Sequence, residues 1–397
     1  MNIKLKTLLN ETQPFSGFIY ESAELKKITK AFGIQKMELQ VMIREHKQRK
    51  PYCSQCGQLA PVYDHLPMRD WLHVPFWNIP VRMFYAPRRV DCPTCGITVE
   101  TMPWNEGKRP YTKAMMIFLC QWARRLSWRE VATVFGVSWD AVYRSVSWIV
   151  EWGLARRELT GITAIGIDEL HIHKGKKADN FATVIYQVDE HYKRLLWIGK
   201  RRSARALLGR LKTLGMEKLA SVRVVVSNMW RPYLAVARKH LSQAVHILDR
   251  FHLTALLNQA VDKVRGHARK LLNYVIHSNL KTARAWALKD VFAHFWTYNH
   301  PHYAKVFLDT WITRALRSRL PLLRKFAKTL WTHEPLIMNW FTFKKAFSNA
   351  AVEGLNNKVR VATRRSYGFK SFHVLEIVLY HTLGKLPEPE LTHKFDM

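Results

Sequence analysis

The order of predicted strands and helices between residues 161 and 253 constrains the fold of this chain more than any other feature. Three apolar runs, ITAIGID, FATVIYQVD and KRLLWIGK, have the length and β-branched content of strands. They are followed by the helix-like SARALLGRLKTLG, the strand-like VRVVV, the helix-like RPYLAVARKHL and the strand-like AVHIL. This order predicts a mixed α/β sheet.

Polar side chains stand at the ends of two of these strands. Asp168 ends the first strand, and Asn228 follows VRVVV at an equivalent place, with an amide instead of an acid. Because α/β sheets bind ligands beyond the carboxyl ends of their strands, both are candidate site residues. Either residue alone is more often a turn or capping residue. An acid on the first strand with a polar position after the fourth is, however, the arrangement of the ribonuclease-H-like fold, which we predict.

Segments of different composition flank this region. Residues 254–348 show no strand-like alternation and contain 16 Lys/Arg against 4 Asp/Glu, which predicts a basic, all-α insertion within the sheet domain. In residues 1–105, prolines and short alternating runs at Met37–Arg44 and Asn78–Tyr85 predict a small β-containing domain. The predicted multidomain α/β organisation is 1–105, 106–160, 161–253, 254–348, 349–386 and a tail, 387–397.

Two CxxC units lie in the N-terminal segment, and each is followed by glycine. Four thiolates at this spacing form a closed tetrahedral set that suits a structural zinc ion. Two unrelated turns or a redox-active CxxC are the alternatives, and His65 or His73 could also serve as a ligand. Strand-like sequence between the units predicts a zinc-ribbon-like domain. The predicted zinc ligands are Cys53, Cys56, Cys92 and Cys95.

A helix-turn-helix motif is predicted between residues 127 and 152. Ser127 and Glu130 form a capping box at the start of WREVATVF. Gly136 then allows a turn before Ser138 caps WDAVYRSVSWIVEW. In such motifs the N-terminal residues of the second helix contact base edges in DNA. An ordinary helical hairpin is the alternative. The candidates for the exposed face of the second helix are Trp139, Asp140, Tyr143 and Arg144.

The chain is strongly basic, with 63 Lys+Arg against 30 Asp+Glu and a formal charge of +33. This excess excludes most small-molecule enzymes and predicts a polyanionic partner. No run approaches the about 20 apolar residues of a membrane-spanning helix. Since the N-terminus also lacks a secretory signal, we expect no membrane partner and a cytoplasmic location. Near Glu353, cations could hold a phosphate that a metal ion bridges. These cations are Lys358, Arg360, Arg364 and Arg365.

Several longer stretches resemble the ISL-three (ISL3) family of insertion-sequence transposases, in the family's order and over roughly residues 37–386. They are PYCSQCG, RRVDCPTCG, SWREVATVFGVSWDAV, IGIDE with a downstream Lys-Gly, SNMWRPY, ILDRFHL and SNAAVEGLNNKVRVATRRSYGF. The resemblance implies cleavage and transfer of DNA strands on the bacterial nucleoid. It also implies double-stranded DNA as partner, both terminal inverted repeats and target, and a homodimer or larger assembly when two DNA ends are joined.

The resemblance further implies a DDE active site holding two Mg²⁺ ions, with Asp168 as the first acid and Glu353 as the third. The family has an aspartate where this chain has Asn228. Asp249 and His252 resemble a DxxH element and are expected to shape the site; a capping aspartate and a core histidine are the alternative. The residues expected to help the zinc-bearing domain and the helix pair bind terminal repeats are Arg88, Arg89, Arg129 and Arg144.

Asn228 lowers the cleavage activity that we predict for this chain. An amide offers one neutral oxygen and two N–H donors, so it cannot bridge two divalent cations. We therefore predict that the chain binds its DNA but is nearly inactive in cleavage. A decayed copy or a deliberate Asp-to-Asn change would each account for Asn228. Two other classes stay open: a non-enzymatic, sequence-specific DNA-binding regulator, and a nuclease that hydrolyses DNA without joining 3′ ends.

Overall fold

The computed structural model describes residues 4–29, 35–105, 107–172, 180–215, 219–270, 275–343, 350–366, 368–369 and 371–390. The chain divides into two compact units. The first comprises residues 1–156 and 387–397, and the second comprises residues 157–386. The predicted boundary between residues 348 and 349, and the Lys-Gly after IGIDE, lie outside the described residues.

The first unit contains a four-stranded sheet. Its strands, in spatial order, are β1 (Phe18–Thr29), β2 (Gln35–Glu45), β5 (Ile79–Tyr85) and β4 (Arg69–Phe76). Strands β2 and β5 are parallel, and the other neighbouring pairs are antiparallel. Alternate side chains of each strand point to one face, where Trp71 and Trp104 meet edge to face in the core. The two strand-like runs predicted in this region are confirmed.

A second, smaller sheet carries the cysteines. It is antiparallel and consists of β3 (Val62–His65), β6 (Arg88–Cys92) and β7 (Gly96–Val99), in the order β3-β6-β7. Strand β6 ends at Cys92, and a tight turn containing Cys95 leads into β7. Cys53 and Cys92 are buried together with the apolar residues Ala60 and Val90. The thiols therefore form part of the core of this sheet.

Helix α1 (Leu5–Thr12) precedes the first sheet, and three further described helices follow the second: α2 (Lys113–Ala123), α3 (Trp128–Phe135) and α4 (Trp139–Arg156). The predicted capping box is confirmed, because Ser127 accepts from the backbone N–H of Glu130 while the Glu130 carboxylate accepts from the Ser127 N–H. Gly136 ends α3 with φ of 63°, a conformation that glycine adopts without steric cost. The Ser138 hydroxyl caps α4 through the Ala141 N–H.

The second unit is built on a five-stranded mixed sheet, and all five predicted strands are confirmed. Strands β8, β9 and β10 form an antiparallel meander, whereas β11 and β12 run parallel to β8. The spatial order is β10-β9-β8-β11-β12. The strand bounds are β8 (Ala164–His171), β9 (Phe181–Val188), β10 (Lys193–Lys200), β11 (Val224–Ser227) and β12 (Val245–Leu248).

Helices connect and follow these strands. The two predicted connecting helices are α5 (Ala204–Leu214) and α6 (Arg231–His240). After β12 the described chain is helical up to residue 342, apart from short turns. No helix among the described residues has the length and apolarity needed to cross a membrane. The later helices are α7 (Arg250–Lys270), α8 (Val275–Ala293), α9 (Pro301–Arg317), α10 (Pro321–Thr342), α11 (Ala350–Arg365) and α12 (Phe372–Leu383).

Helix α11 packs closely on β8 because Gly166 lacks a side chain. A Cβ atom at residue 166 would lie 2.6 Å from Cγ2 of Val352, which is far inside van der Waals contact. The glycine thus lets the helix approach the strand that carries Asp168. The close approach brings residues that are distant in sequence to the same end of the sheet.

Candidate active site and cysteine cluster

Asp168 lies on the central strand β8, three residues before that strand ends at His171, so the prediction that Asp168 ends the strand is wrong. Its side chain is only 7% exposed, and Asn356 Nδ2 on α11 donates a hydrogen bond to its Oδ2 at 2.6 Å. Burial raises the pKa of Asp168, while the nearby charge of His252 and the hydrogen bond from Asn356 act in the opposite direction. The Asn356 carbonyl oxygen in turn accepts from the Tyr186 hydroxyl at 2.9 Å. The position of Asp168 is therefore fixed from α11.

Glu353 lies one helical turn before Asn356. Residues three apart in a helix are neighbours on one face, with Cβ atoms about 5–6 Å apart. Since Asn356 contacts Asp168 directly, α11 presents Glu353 on the face that packs toward β8. The Glu353 side chain is half-buried. Glu353 was predicted from the sequence as a site residue, whereas Asn356 was not. The three-residue spacing between them could have indicated that both lie on one face of the helix.

Asn228 follows β11 and is as buried as Asp168, at 7% exposed. Its Oδ1 accepts from the backbone N–H of Trp230 at 2.9 Å, and its Nδ2 donates to Glu169 Oε1 at 3.2 Å. Both contacts require this orientation, because a carboxylate cannot donate and a backbone N–H cannot accept. Asn228 therefore presents a hydrogen-bond donor, rather than an oxygen ligand, to Glu169.

Glu169 occupies the opposite face of β8 from Asp168, since side chains alternate along a strand. Its Oε1 lies 2.8 Å from Nε of Arg202, and the Arg202 guanidinium stacks 4.5 Å from the ring centroid of Trp230. Burial raises the pKa of Glu169, and the Asn228 amide and Arg202 oppose that rise. The sequence analysis gave Glu169 no role, although it immediately follows Asp168.

Asp249 and His252 lie at the same edge of the sheet. Ser227 pairs with Leu248 in register, so Asn228 and Asp249 follow neighbouring parallel strands about 4.8 Å apart. Asp249 Oδ1 accepts from the Phe251 N–H at 2.7 Å, which caps the start of α7. Its Oδ2 lies 2.6 Å from Nδ1 of His252, and this hydrogen bond is the main cause that raises the pKa of His252.

Some of the side chains at this edge of the sheet could act as ligands to a hard divalent cation. Carboxylate oxygen is the donor such ions prefer, and Asp168 and Glu353 supply it from β8 and α11. Asn228, which follows the neighbouring strand β11, donates its N–H group to Glu169 and has its oxygen engaged by a backbone N–H. Asp249 has both oxygens in hydrogen bonds. This edge therefore offers Asp168 and Glu353 as carboxylates that could hold a cation.

The basic residues of α11 extend outward from this edge. Lys358 and Arg360 are exposed, as is Arg364, and Arg365 is half-buried. The Arg360 guanidinium donates to Asn357 Oδ1 at 2.7 Å on the same helix surface. A run of cations that begins one turn after the carboxylates can neutralise DNA phosphates.

The four cysteines of the CxxC units form one cluster in the first unit. All four Sγ atoms lie within 4.8 Å of one another. The cluster contains no histidine among the described residues; His73 instead contacts the Thr112 hydroxyl at 2.9 Å. The Thr98 hydroxyl, 3.2 Å from Cys53 Sγ, is the main cause that lowers the pKa of Cys53 to about 6. Four thiols in this arrangement could bind zinc.

The helix pair exposes an aromatic surface. Trp139 and Tyr143, one turn apart at the start of α4, stack with ring centroids 5.5 Å apart and an interplanar angle of 7°. Trp139 is 44% exposed. Arg129 is exposed on α3, and Arg144 pairs with Asp140 at 2.7 Å while staying 70% exposed. These side chains are accessible at the surface of the first unit.

The expectation that Arg88 binds DNA is wrong. Arg88 is 5% exposed and its guanidinium is 2.8 Å from the buried Glu100 carboxylate. A buried charge is tolerated only when it is paired, so this arginine neutralises Glu100 inside the unit. Arg89, the next residue, points the other way and pairs with Asp64 while it stays partly exposed. Arg88 is therefore omitted from the proposed DNA contacts.

Comparison with known proteins defines the class. A sequence model of the ISL3 family, described as transposase, matches residues 165–273 and 266–379. The chain is 23% identical over 354 residues to the transposase for insertion sequence element IS1001 of Bordetella parapertussis, covering 80% of this chain and 85% of that protein. It is also 23% identical over 389 residues to the transposase for insertion sequence element IS1557 of Mycobacterium tuberculosis, covering 84% and 85%.

The fold and the acidic edge of the sheet thus occur in a chain of the transposase class, whose members cut and transfer DNA. The chain belongs to the ISL3 family of transposases.

The contact between Asn356 and Asp168 leads to a prediction about stability. Asn356→Ala removes the donor to a buried carboxylate and should lower the free energy of unfolding by about 1–3 kcal/mol. The donor favours ionised Asp168, so its removal raises the pKa of Asp168 further. The loss should therefore be larger at a pH above the raised pKa of Asp168, where the side chain is ionised, than at a pH below it.

Urea unfolding at both pH values measures this difference. Asn357→Ala is the matched control, because Asn357 is the exposed neighbour of Asn356 on the same helix. Equal losses for the two variants, or a loss that does not depend on pH, would contradict the assignment.

Proposed function

We propose that this chain is a DDE transposase with a ribonuclease-H-like catalytic unit, which binds the terminal inverted repeats of an insertion sequence. Its reaction is Mg²⁺-dependent cleavage and transfer of DNA strands. One observation carries the proposal: α11 packs on β8 so that Asn356 contacts Asp168, with Glu353 one turn away. The strand order β10-β9-β8-β11-β12, with two strands parallel to the first, supports the fold assignment.

Asp168 and Glu353 are the residues that would hold the divalent cations. Bound there, Mg²⁺ would activate the attacking water or 3′-hydroxyl and stabilise the leaving oxygen. Asn356 keeps Asp168 oriented, and the Asp249–His252 pair holds the start of α7 against the same edge. The cations that hold the DNA backbone beside the site are Lys358, Arg360, Arg364 and Arg365.

Asn228 makes this chain a weak catalyst in our proposal. The site binds DNA through its cations but lacks the second carboxylate, and the Asn228 amide already satisfies Glu169. An aspartate at residue 228 would place a second carboxylate beside Glu169, a pair that a bound cation can stabilise. The DNA-binding step and the cleavage step should therefore respond differently to Asn228→Asp.

Cleavage of a duplex carrying the element's terminal repeat tests the function. Asn228→Asp should increase the rate of Mg²⁺-dependent cleavage at least about a hundredfold over the unmodified chain, as expected for restoring a group that stabilises transition-state charge. Binding of the same duplex should change little. The control is Asn228→Asp combined with Asp168→Asn, which should remain inactive.

An unchanged cleavage rate in a folded, DNA-binding Asn228→Asp protein would reject the DDE assignment and favour a non-enzymatic DNA-binding regulator. Cleavage without joining of the 3′ ends would instead indicate a nuclease.

The first unit supplies sequence recognition in this proposal. The helix-turn-helix formed by α3 and α4 presents Trp139, Tyr143 and Arg144 to the bases, with Arg129 and Arg89 on phosphates. The cysteine sheet is a zinc-ribbon-like domain whose ion is structural. Joining two DNA ends requires at least a homodimer, and the DNA substrate places the protein on the bacterial nucleoid.

The zinc content of cysteine variants provides a separate test of the first unit. The unmodified chain should contain about one zinc ion per molecule, measured by mass spectrometry of the metal, and Cys56→Ala should contain almost none. Cys120→Ala is the control, because Cys120 is buried in α2 outside the cluster. Zinc retained equally by Cys56→Ala and Cys120→Ala would contradict the tetrathiolate site.

A further inference from the structure

A groove between α8 and α9 gathers three arginines in the helical insertion. Its volume is about 440 Å³, and its walls include Arg284 from α8 and both Arg314 and Arg317 from α9. Leu288 and Val291 contribute apolar surface to its floor. All three arginines are exposed. The groove therefore combines a concave shape with three exposed positive charges.

Helix geometry explains why the arginines converge. Arg314 and Arg317 are three residues apart and so project from the same face near the end of α9. Arg284 on α8 donates a hydrogen bond from Nη2 to the backbone carbonyl of Ser318 at 2.5 Å, and Ser318 is the residue that follows α9. Carbonyls at a helix C-terminus lack partners within the helix, so this bond anchors Arg284. A guanidinium has five N–H donors, and most of those on Arg284 stay available to a ligand.

Three of the four carboxylates between residues 254 and 348 form ion pairs elsewhere, and the fourth, Asp290, is exposed on α8 and is not part of the groove wall. In the part of the chain that the structure describes, Asp262 pairs with Arg265, while Asp309 and Glu334 both pair with Lys305. Among the described residues, no acidic side chain lines the groove. Three like charges therefore face one concave surface without an internal counter-charge. An anion that enters the groove would relieve their mutual repulsion.

We propose that this groove binds the sugar-phosphate backbone of duplex DNA outside the terminal repeats, without reading its sequence. Arginine forms paired hydrogen bonds with phosphate oxygens, and neighbouring phosphates of one strand can each take a guanidinium. The surrounding segment supports a polyanionic ligand, since residues 254–348 contain 16 Lys/Arg against 4 Asp/Glu. The inference rests on the proposed function, because it assumes that the chain binds DNA.

The test measures binding of the full-length chain to a random-sequence duplex by fluorescence anisotropy, over a series of salt concentrations without added Mg²⁺. The groove variant replaces Arg284, Arg314 and Arg317 by Gln. The control replaces three exposed cations outside the insertion, Lys193, Arg205 and Lys212, by Gln. A third variant replaces the three arginines by Lys, which keeps the charge.

Each neutralised phosphate contributes about 0.9 to the slope of log affinity against log salt, so the groove variant should lower that slope by about 2 to 3. Its affinity at moderate salt should decrease at least about tenfold, whereas the control should lose less than about one unit of slope. The Lys variant should keep most of the slope, which shows that charge rather than folding is responsible.

Equal slopes for the groove variant and the control would overturn the groove assignment and leave the proposed function standing. If the unmodified chain binds no duplex at all, the proposed function fails first, and the groove assignment fails with it.

Discussion

The site depends on the hydrogen bond between a buried carboxylate and an amide that lie 188 residues apart in sequence. Burying an acid favours its neutral form, so Asp168 needs a donor to stay useful as a ligand for a cation. Asn356 provides that donor, and Tyr186 fixes Asn356 from the other side. The packing of α11 on β8, which Gly166 permits, is therefore a condition for the chemistry.

The same edge of the sheet shows why Asn228 is consistent with its surroundings. Its amide satisfies both a backbone N–H and Glu169, so a neutral donor fits where a second acid would need a cation to offset its charge. An asparagine at residue 228 therefore impairs the proposed reaction without destabilising the fold. These contacts are compatible with the proposed function, in which the chain folds and binds DNA but cleaves it weakly.

Local patterns in the sequence were sufficient to predict the five strands of the second unit, strands β2 and β5 of the first unit, the caps of α3 and α4, and the cysteine cluster. Asp168 and Asn228 could be selected because each is a polar residue directly after an apolar run, although β8 continues past Asp168 to His171. The contacts of Asn356 and Glu169 could not, since they depend on which helix packs on which strand. Arg88 shows the opposite failure. Its neighbours in sequence suggested a basic surface, but the fold buries it against Glu100, twelve residues away.

We propose that this edge of the sheet is a divalent-cation site that lacks one ligand. Titration with Mn²⁺, followed by the electron paramagnetic resonance of the free ion, measures this most directly in protein already loaded with zinc. Because a two-metal site needs the bridging carboxylate, Asn228→Asp should bind about one more Mn²⁺ per chain than the unmodified protein. Asp168→Asn should abolish that gain. Equal Mn²⁺ binding by the unmodified chain and Asn228→Asp would contradict the account.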